Sequence, residues 1–366
     1  MDTLYFLQHY WWALVALLGA ILVFLLFVQG AQGLLLRTAS SEEEKDFVVK
    51  YAGHKWEITF TTLVTFGGAA FASFPLFYST SFGGAYWLWI CILLLFVIQS
   101  FSFEYRKAAG NLFGARTFEI FLFLNGALGT FLLGVAVGTF FTGGAFTVDK
   151  VSITDAASPA ISRWANGWHG LDALANPMNL LLGLVVFLAA RTLGLLYLLM
   201  KPDVGAFAEK CRKRLMITAP AFVLTFVAFV LWMFLKTGYA VDPATGTISA
   251  EPFKYLHNML HTWWIAVVFL SGVVLVLAGL ARHFLGKGVR QNFYIVGGGA
   301  LLAVWAILLC AGFNDTAYYV STVDLQSSLT LYNSSSSLFT LKVMAWVSIA
   351  IPFVIAYIVW AWRKMR

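Results

Sequence analysis

Few ionisable residues lie within or beside the apolar stretches of this sequence, and each is a candidate for chemistry. Glu57 opens the run KWEITFTTLVTFGGAAFASFP (55–75), in which no further charge occurs before Pro75. Three roles are open to it. An acid in the first turn of a helix gains about 0.3–1 kcal/mol from the macrodipole. Lys50 or Lys55 is close enough in sequence to pair with it. It could also accept protons at the mouth of a path into an apolar interior. Glu119 follows Arg116 at i, i+3, the spacing of a local helical ion pair. Glu104 lies in FEYR beside Arg106 and Lys107, which favours local pairing. Arg191 falls inside an apolar run and either snorkels toward Met200 and Lys201 or meets an internal partner.

The remaining chemistry-bearing types give weaker patterns. HNMLH places His257 and His261 one helical turn apart. That spacing can hold a metal, but no glutamate completes HExxH. One helix face also cannot supply both axial ligands of one haem, so these read as interfacial histidines. Cys91, Cys211 and Cys310 are isolated, and neither a disulfide framework nor a zinc site is indicated. No phosphate-binding glycine loop or dinucleotide fingerprint is present.

The elements that must carry these residues follow from composition. The 366 residues are 60% apolar and 11% charged, with a mean hydropathy of +0.81. Soluble domains carry about 25% charged residues, so this is the composition of an integral membrane protein. The 34 Phe and 14 Trp suit lipid-facing surfaces and interfacial belts. The net charge of +7 fits basic loops on one side of a membrane, and no basic run suggests nucleic-acid binding.

A membrane span needs about 20 apolar residues. Nine candidates result, at roughly 10–34, 57–80, 85–103, 117–141, 177–200, 215–236, 260–282, 291–312 and 339–362. The N-terminal run lacks a basic start and a small-residue cleavage site, so it reads as the first span, with Trp11 and Trp12 at the interface. Lysines and arginines concentrate in the loops after spans one, three, five and seven and in the C-terminal tail. The opposite side holds only Lys150, Arg163, Lys236 and Lys254, with Lys342 near a helix end. The positive-inside rule then places the N-terminus outside and the C-terminus in the cytoplasm. All 366 residues form one membrane domain. Asn176–Pro177 reads as a helix N-cap followed by proline at the first helical position. Gly134 and Gly138 form a GxxxG, a spacing that lets two helices approach closely.

Several segments resemble subunit II of the cytochrome bd quinol oxidases. These are FLQHYWWALVALLGAILVFLLFVQGAQGLL, the KWEITF…FASFPLFY segment, FEYR, GVAVGTFFTGGAFTVD, ANPMNLLLGL and the last loop with its helix, SSLTLYNSSSSLF…YIVWAWRKM. Their order covers both ends and most of the first half, while 200–310 matches in layout more than in motif. The resemblance implies an all-α protein of about nine transmembrane helices, as two four-helix bundles plus one. It implies a chain without its own cofactor that pairs with subunit I, where two b-type haems, haem d and the quinol site lie. Small accessory subunits can attach. It implies a bacterial cytoplasmic membrane and a complex that oxidises quinol, ubiquinol or menaquinol, while reducing O2 to water. It also implies a proton path through the acid that follows the tryptophan of the second helix. That position is Glu57, with Thr61 and Glu119 as further candidates.

The sequence departs from the family pattern in places. Gln29 and Gln32 stand where the first helix usually bears acids, so no group titrates there. ITFTT follows Glu57 in place of Gly-Asn-Gln-Val-Trp, leaving Thr59, Thr61 and Thr62 to support hydrogen-bonded water. Glutamate replaces aspartate at Glu57, Glu104 and Glu119. The competing class is a secondary transporter or channel, against which stands the lack of paired broken spans and of a midplane charge cluster.

Overall fold

The computed structural model describes residues 3–149, 161–201 and 205–364, so Lys150 and Arg366 of the charge partition fall outside the described residues. The first span is α1 (Thr3–Leu25), continued almost in line by α2 (Phe27–Gln32). The helix α3 (Glu42–Gly53) is short, polar and capped by the Ser41 side chain. Next come α4 (Trp56–Ser73) and α5 (Pro75–Tyr78), which are separated because Pro75 cannot continue the preceding helix. The third span is α6 (Tyr86–Tyr105). The fourth is α7 (Gly114–Leu124) and α8 (Thr130–Thr142), joined through a wide helical turn at Asn125–Gly129.

The second half holds α9 (Pro177–Leu198), α10 (Gly205–Leu235), α11 (Lys254–His261), α12 (Trp263–Phe284) and α13 (Val289–Gly312). After the short α14 (Leu331–Ser334), the chain ends in α15 (Leu338–Ser348) and α16 (Ile351–Lys364). Three antiparallel hairpins decorate one end. They pair β1 (Phe146–Val148) with β2 (Ser162–Trp164), β3 (Gly238–Val241) with β4 (Ile248–Glu251), and β5 (Ala317–Tyr319) with β6 (Leu329–Thr330).

Among the described residues, seven helices are long and apolar enough to cross a membrane. They match seven of the nine expected spans. The second expected span is α4 with α5, where Glu57 and four threonines lower the hydropathy and Pro75 breaks the helix. The ninth is α15 with α16, interrupted around Ile349–Ala350. The run from Thr3 to Gln32 spans 30 residues, about 45 Å of helix at 1.5 Å per residue, which exceeds the hydrocarbon core.

The spans pack as neighbours: α12 along α13, α8 along α9, α9 along α10 and α2, α1 between α13 and α4, and α6 along α7. Small residues set the closest approaches. A side chain at Gly134 would meet the Gly183 Cα at 2.7 Å, and one at Gly138 would meet Asn179 Oδ1 at 2.5 Å, so the GxxxG is the α8–α9 seam. A side chain at Gly30 would overlap the Ala190 carbonyl oxygen at 1.8 Å, which fixes glycine where α2 crosses α9. Asn176 caps α9, accepting from the Met178 N–H at 3.0 Å. A cavity of about 150 Å³ is lined by apolar and aromatic residues of α1, α4, α6, α8, α9, α10, α12 and α13.

Candidate functional site

The three candidate site residues occupy two different environments. Glu57 sits in the first turn of α4 and is exposed. Among the described residues no hydrogen bond or ion pair joins it to Lys50 or Lys55, so the local-pairing role is not realised, and its place in the first turn matches the macrodipole role. Thr61, one turn further on, is also exposed. Val64, Thr65, Gly68 and Phe71 continue the same face, with Val64 58% and Phe71 57% exposed. Nothing lies within 4 Å of a side chain built at Gly68. The inner face of α4 carries Thr59, buried and donating to the Leu25 carbonyl at 3.2 Å. Thr62 and Thr65 return their hydroxyls to the helix, donating to the carbonyls of Ile58 and Thr61 at 2.7 and 2.8 Å. The outward face of a membrane helix therefore carries one carboxylate and a threonine whose hydroxyl has no partner among the described residues.

Glu119 is the opposite case. It lies on the inner face of α7 and is 1% exposed. Its Oε1 accepts from Arg106 Nη2 at 2.7 Å and Nε at 3.1 Å, and its Oε2 stands 3.1 Å from Lys45 Nζ. Arg116 contributes only a loose contact at 3.7 Å. Arg106, itself 3% exposed, also donates to Asp46 at 2.6 Å and Glu42 at 3.2 Å. Lys107 completes the cluster on Asp46. The expected Arg116–Glu119 pair is therefore present, but as the loosest member of a network that spans α3, the end of α6 and α7. The pairing of Glu104 with Arg106 or Lys107 is overturned. Glu104 stays on the exposed face of α6, while both cations turn toward α3.

The network polarises its outer members. Lys45, above all by its hydrogen bond, holds the Glu42 carboxyl below its ordinary value despite slight desolvation. Burial would raise the Asp46 carboxyl, but hydrogen bonds from Lys107 and Arg106 outweigh it and the net shift is downward. Both groups are ionised at neutral pH.

Behind Glu119 the polar character continues without charge. Gln32 donates to the Leu122 carbonyl at 3.0 Å and to Asn125 Oδ1 at 2.5 Å. Gln99 donates to Gln32 at 2.9 Å, and Gln29 donates to Gln99 at 3.2 Å. All four amides are fully buried, and Gln29 Oε1 and Asn125 Nδ2 have no partner. Such a pair of orphaned groups suits a bridging water. Among the described residues, no hydrogen bond or ion pair of Glu119 or of this amide file reaches Glu57. Sequence reasoning missed Glu42, Lys45, Asp46, Gln99 and Asn125 as partners. The visible signal was polar residues interrupting apolar spans at Gln99 and Asn125.

The other candidates resolve simply. Cys91, Cys211 and Cys310 are free. His257 pairs with Glu251 at 2.9 Å, and His261 lies exposed at the end of α11. Among the described residues no group of three or more His, Cys, Asp or Glu could hold a metal. The cavity lining includes no histidine, methionine or cysteine, so it does not fit an axially ligated haem.

A helical membrane protein of this layout, with packed spans, hairpins at one end and an ionic cluster on α3, α6 and α7, belongs to the class of polytopic bundle subunits. A family model described as cytochrome bd terminal oxidase subunit II matches residues 7–365, and the chain belongs to that family. It is 25% identical to cytochrome bd-I ubiquinol oxidase subunit 2 of Escherichia coli (strain K12), covering 98% of this chain and 94% of that one. It is likewise 25% identical to cytochrome bd ubiquinol oxidase subunit 2 of Bacillus subtilis (strain 168), with 98% and 96% covered. The fold is similar to that in the structure of bd oxidase from Geobacillus thermodenitrificans, with a TM-score of 0.67, 12% identity and 98% of both chains covered. The chain is an integral membrane protein and a subunit of a quinol oxidase complex, which implies a partner subunit I.

Proposed function

We propose that this chain is the haem-free second subunit of a quinol:O2 oxidoreductase in a bacterial cytoplasmic membrane, with its N-terminus outside and its C-terminus in the cytoplasm. The full-length family match carries the assignment. Subunit I supplies the b- and d-type haems and the electron transfer to O2, and quinol is the substrate of the complex. This chain completes and stabilises that subunit.

The outward face of α4 supports a second role. A carboxylate and an unpartnered threonine exposed on a membrane helix are costly in lipid and mark a functional or protein-covered surface. We read this face as the docking surface of subunit I, with Glu57 and Thr61 admitting protons from the cytoplasm along it. The charge of Glu119 is paired with Arg106 and Lys45, although its buried Oε2 accepts no hydrogen bond among the described residues. That supports an anchoring role, with the amide file behind it holding water rather than relaying charge.

The test is Glu57→Gln in the purified complex. The expected result is slowed quinol oxidation with unchanged haem spectrum and unchanged copurification of subunit I. Normal turnover would remove the proton role and leave the subunit assignment intact. A chain that purifies alone, with no haem protein, would remove the assignment itself.

A further inference from the structure

Arg191 lies inside the α9 span, and among the described residues no ion pair joins it to an acid. Between Ala189 and Leu199 every residue is buried except Arg191, so α9 opens to its surroundings there alone. With Leu184, Phe187 and Leu188 it forms the partly exposed stripe of α9 at i, i+3, i+4 and i+7 spacing. Its guanidinium stands 5.7 Å from the centre of the Phe187 ring. It precedes the end of α9 by seven residues, about 10 Å of helix, within the inner edge of a bilayer rather than in water.

The charges close enough to act on Arg191 are those of Arg214 and Arg37, both cations. Arg214 Nη2 donates to the Arg37 carbonyl at 3.2 Å, which ties the start of α10 to the chain after α2. Among the described residues none of the three arginines has an ion pair with an acid. Thr38 and Thr192, their neighbours in sequence, bury hydroxyls that lack a partner. Three guanidiniums on converging elements repel one another, and a buried charge is kept only when it is compensated. Arginine's planar donor fork matches the oxygens of a phosphate. Basic pockets between membrane helices bind anionic headgroups on this ground.

We propose that Arg191, Arg37 and Arg214 form a phosphate-binding site that holds the headgroup of an anionic phospholipid. The acyl chains lie along the Leu184–Phe187–Leu188 stripe and the phosphodiester meets Arg191, with Arg37 and Arg214 closing from the water side. The site does not depend on the oxidase activity.

The experiment places the purified complex in nanodiscs of phosphatidylcholine, with or without phosphatidylglycerol, and in detergent with inorganic phosphate alone. Retained phosphatidylglycerol is counted by mass spectrometry, and the thermal midpoint is read alongside. Arg191→Gln should weaken retention about tenfold, the worth of one charge-assisted contact, and Arg191→Lys should recover part of it. Arg37→Gln with Arg214→Gln, both at exposed positions, should weaken retention without disturbing the fold, and decides the matter if Arg191→Gln fails to assemble. Equal retention by all variants overturns the site. Stabilisation by inorganic phosphate alone, with none from phosphatidylglycerol, overturns the lipid as its occupant.

Discussion

Glu119 and Glu57 are both carboxylates near the start of a membrane helix, and their surroundings are opposite. Glu119 is 1% exposed and gripped by Arg106 and Lys45, while Glu57 is exposed and unpaired. The buried acid looks the more functional by its depth, yet its charge is fully answered inside the chain. Among the described residues no group pairs with the exposed acid, which is the ground for proposing that a partner subunit covers its face. In a membrane subunit, the incomplete site is the one that points to the partner.

The comparison is broken most directly at Glu119. Glu119→Gln removes one member of a buried ionic set and leaves Arg106 and Lys45 short of an anion. Removing one partner of a buried pair costs about 3–5 kcal/mol, and because Asp46 and Glu42 remain on Arg106 the low end, about 3, is expected. Thermal or denaturant unfolding of the purified complex reads it. A loss below about 1 kcal/mol would mean the cluster contributes no more than a surface pair.

Glu57→Gln should behave in the reverse way. Stability should stay within about 0.5 kcal/mol of the parent, as for exposed substitutions. Quinol oxidation should fall roughly a hundredfold, the lower end of what a positioned proton carrier contributes. Stopped-flow turnover with the haem spectrum as a control separates the two readouts. A stability loss matching that of Glu119→Gln would dissolve the contrast between the sites.

Much of this architecture was legible in the sequence, because span length and hydropathy are local properties. The expected spans at 85–103, 177–200 and 291–312 lie within a few residues of α6, α9 and α13. The start of α10 was not legible. It begins at Gly205 rather than near residue 215, because the polar segment AEKCRKR has good helix propensity and extends the span out of the apolar layer. The ionic cluster was hidden for a different reason. Arg106 reaches Asp46 and Glu42 across 60 and 64 residues, and no local spacing encodes that meeting. Glu104 drew attention as the nearer acid in sequence, but α6 turns it to the outside. Glu57 was visible because a first-turn acid before an apolar run is a local signal.

Acid should erode one side of the comparison before the other. The carboxyls of Glu42 and Asp46 are held below their ordinary values of 4.5 and 3.8. A depressed folded-state value means the stabilisation is complete above the unfolded value and is lost as pH falls through the folded one. The cluster should therefore be constant in strength above about pH 4.5 and weaken only as pH falls below the ordinary values, through the depressed folded-state ones. Both groups are well exposed, so the change is that of screened pairs and should lower the thermal midpoint only slightly. In Glu119→Gln the same acid step should persist, since the outer acids remain.

Thr61→Val gives the smallest effect and the finest test. Valine keeps the shape of threonine and removes the hydroxyl. Thr61 is exposed and its hydroxyl has no protein partner, so stability should not change beyond about 0.5 kcal/mol. If water carries protons from Glu57 along this face, the hydroxyl is one of several groups that can hold that water. Turnover should then fall by less than about threefold, well under 1 kcal/mol of barrier. A loss as large as that of Glu57→Gln would make Thr61 an obligatory step. No loss at all, with Glu57→Gln still slow, would place the path beside α4 and leave Glu57 as its entry alone.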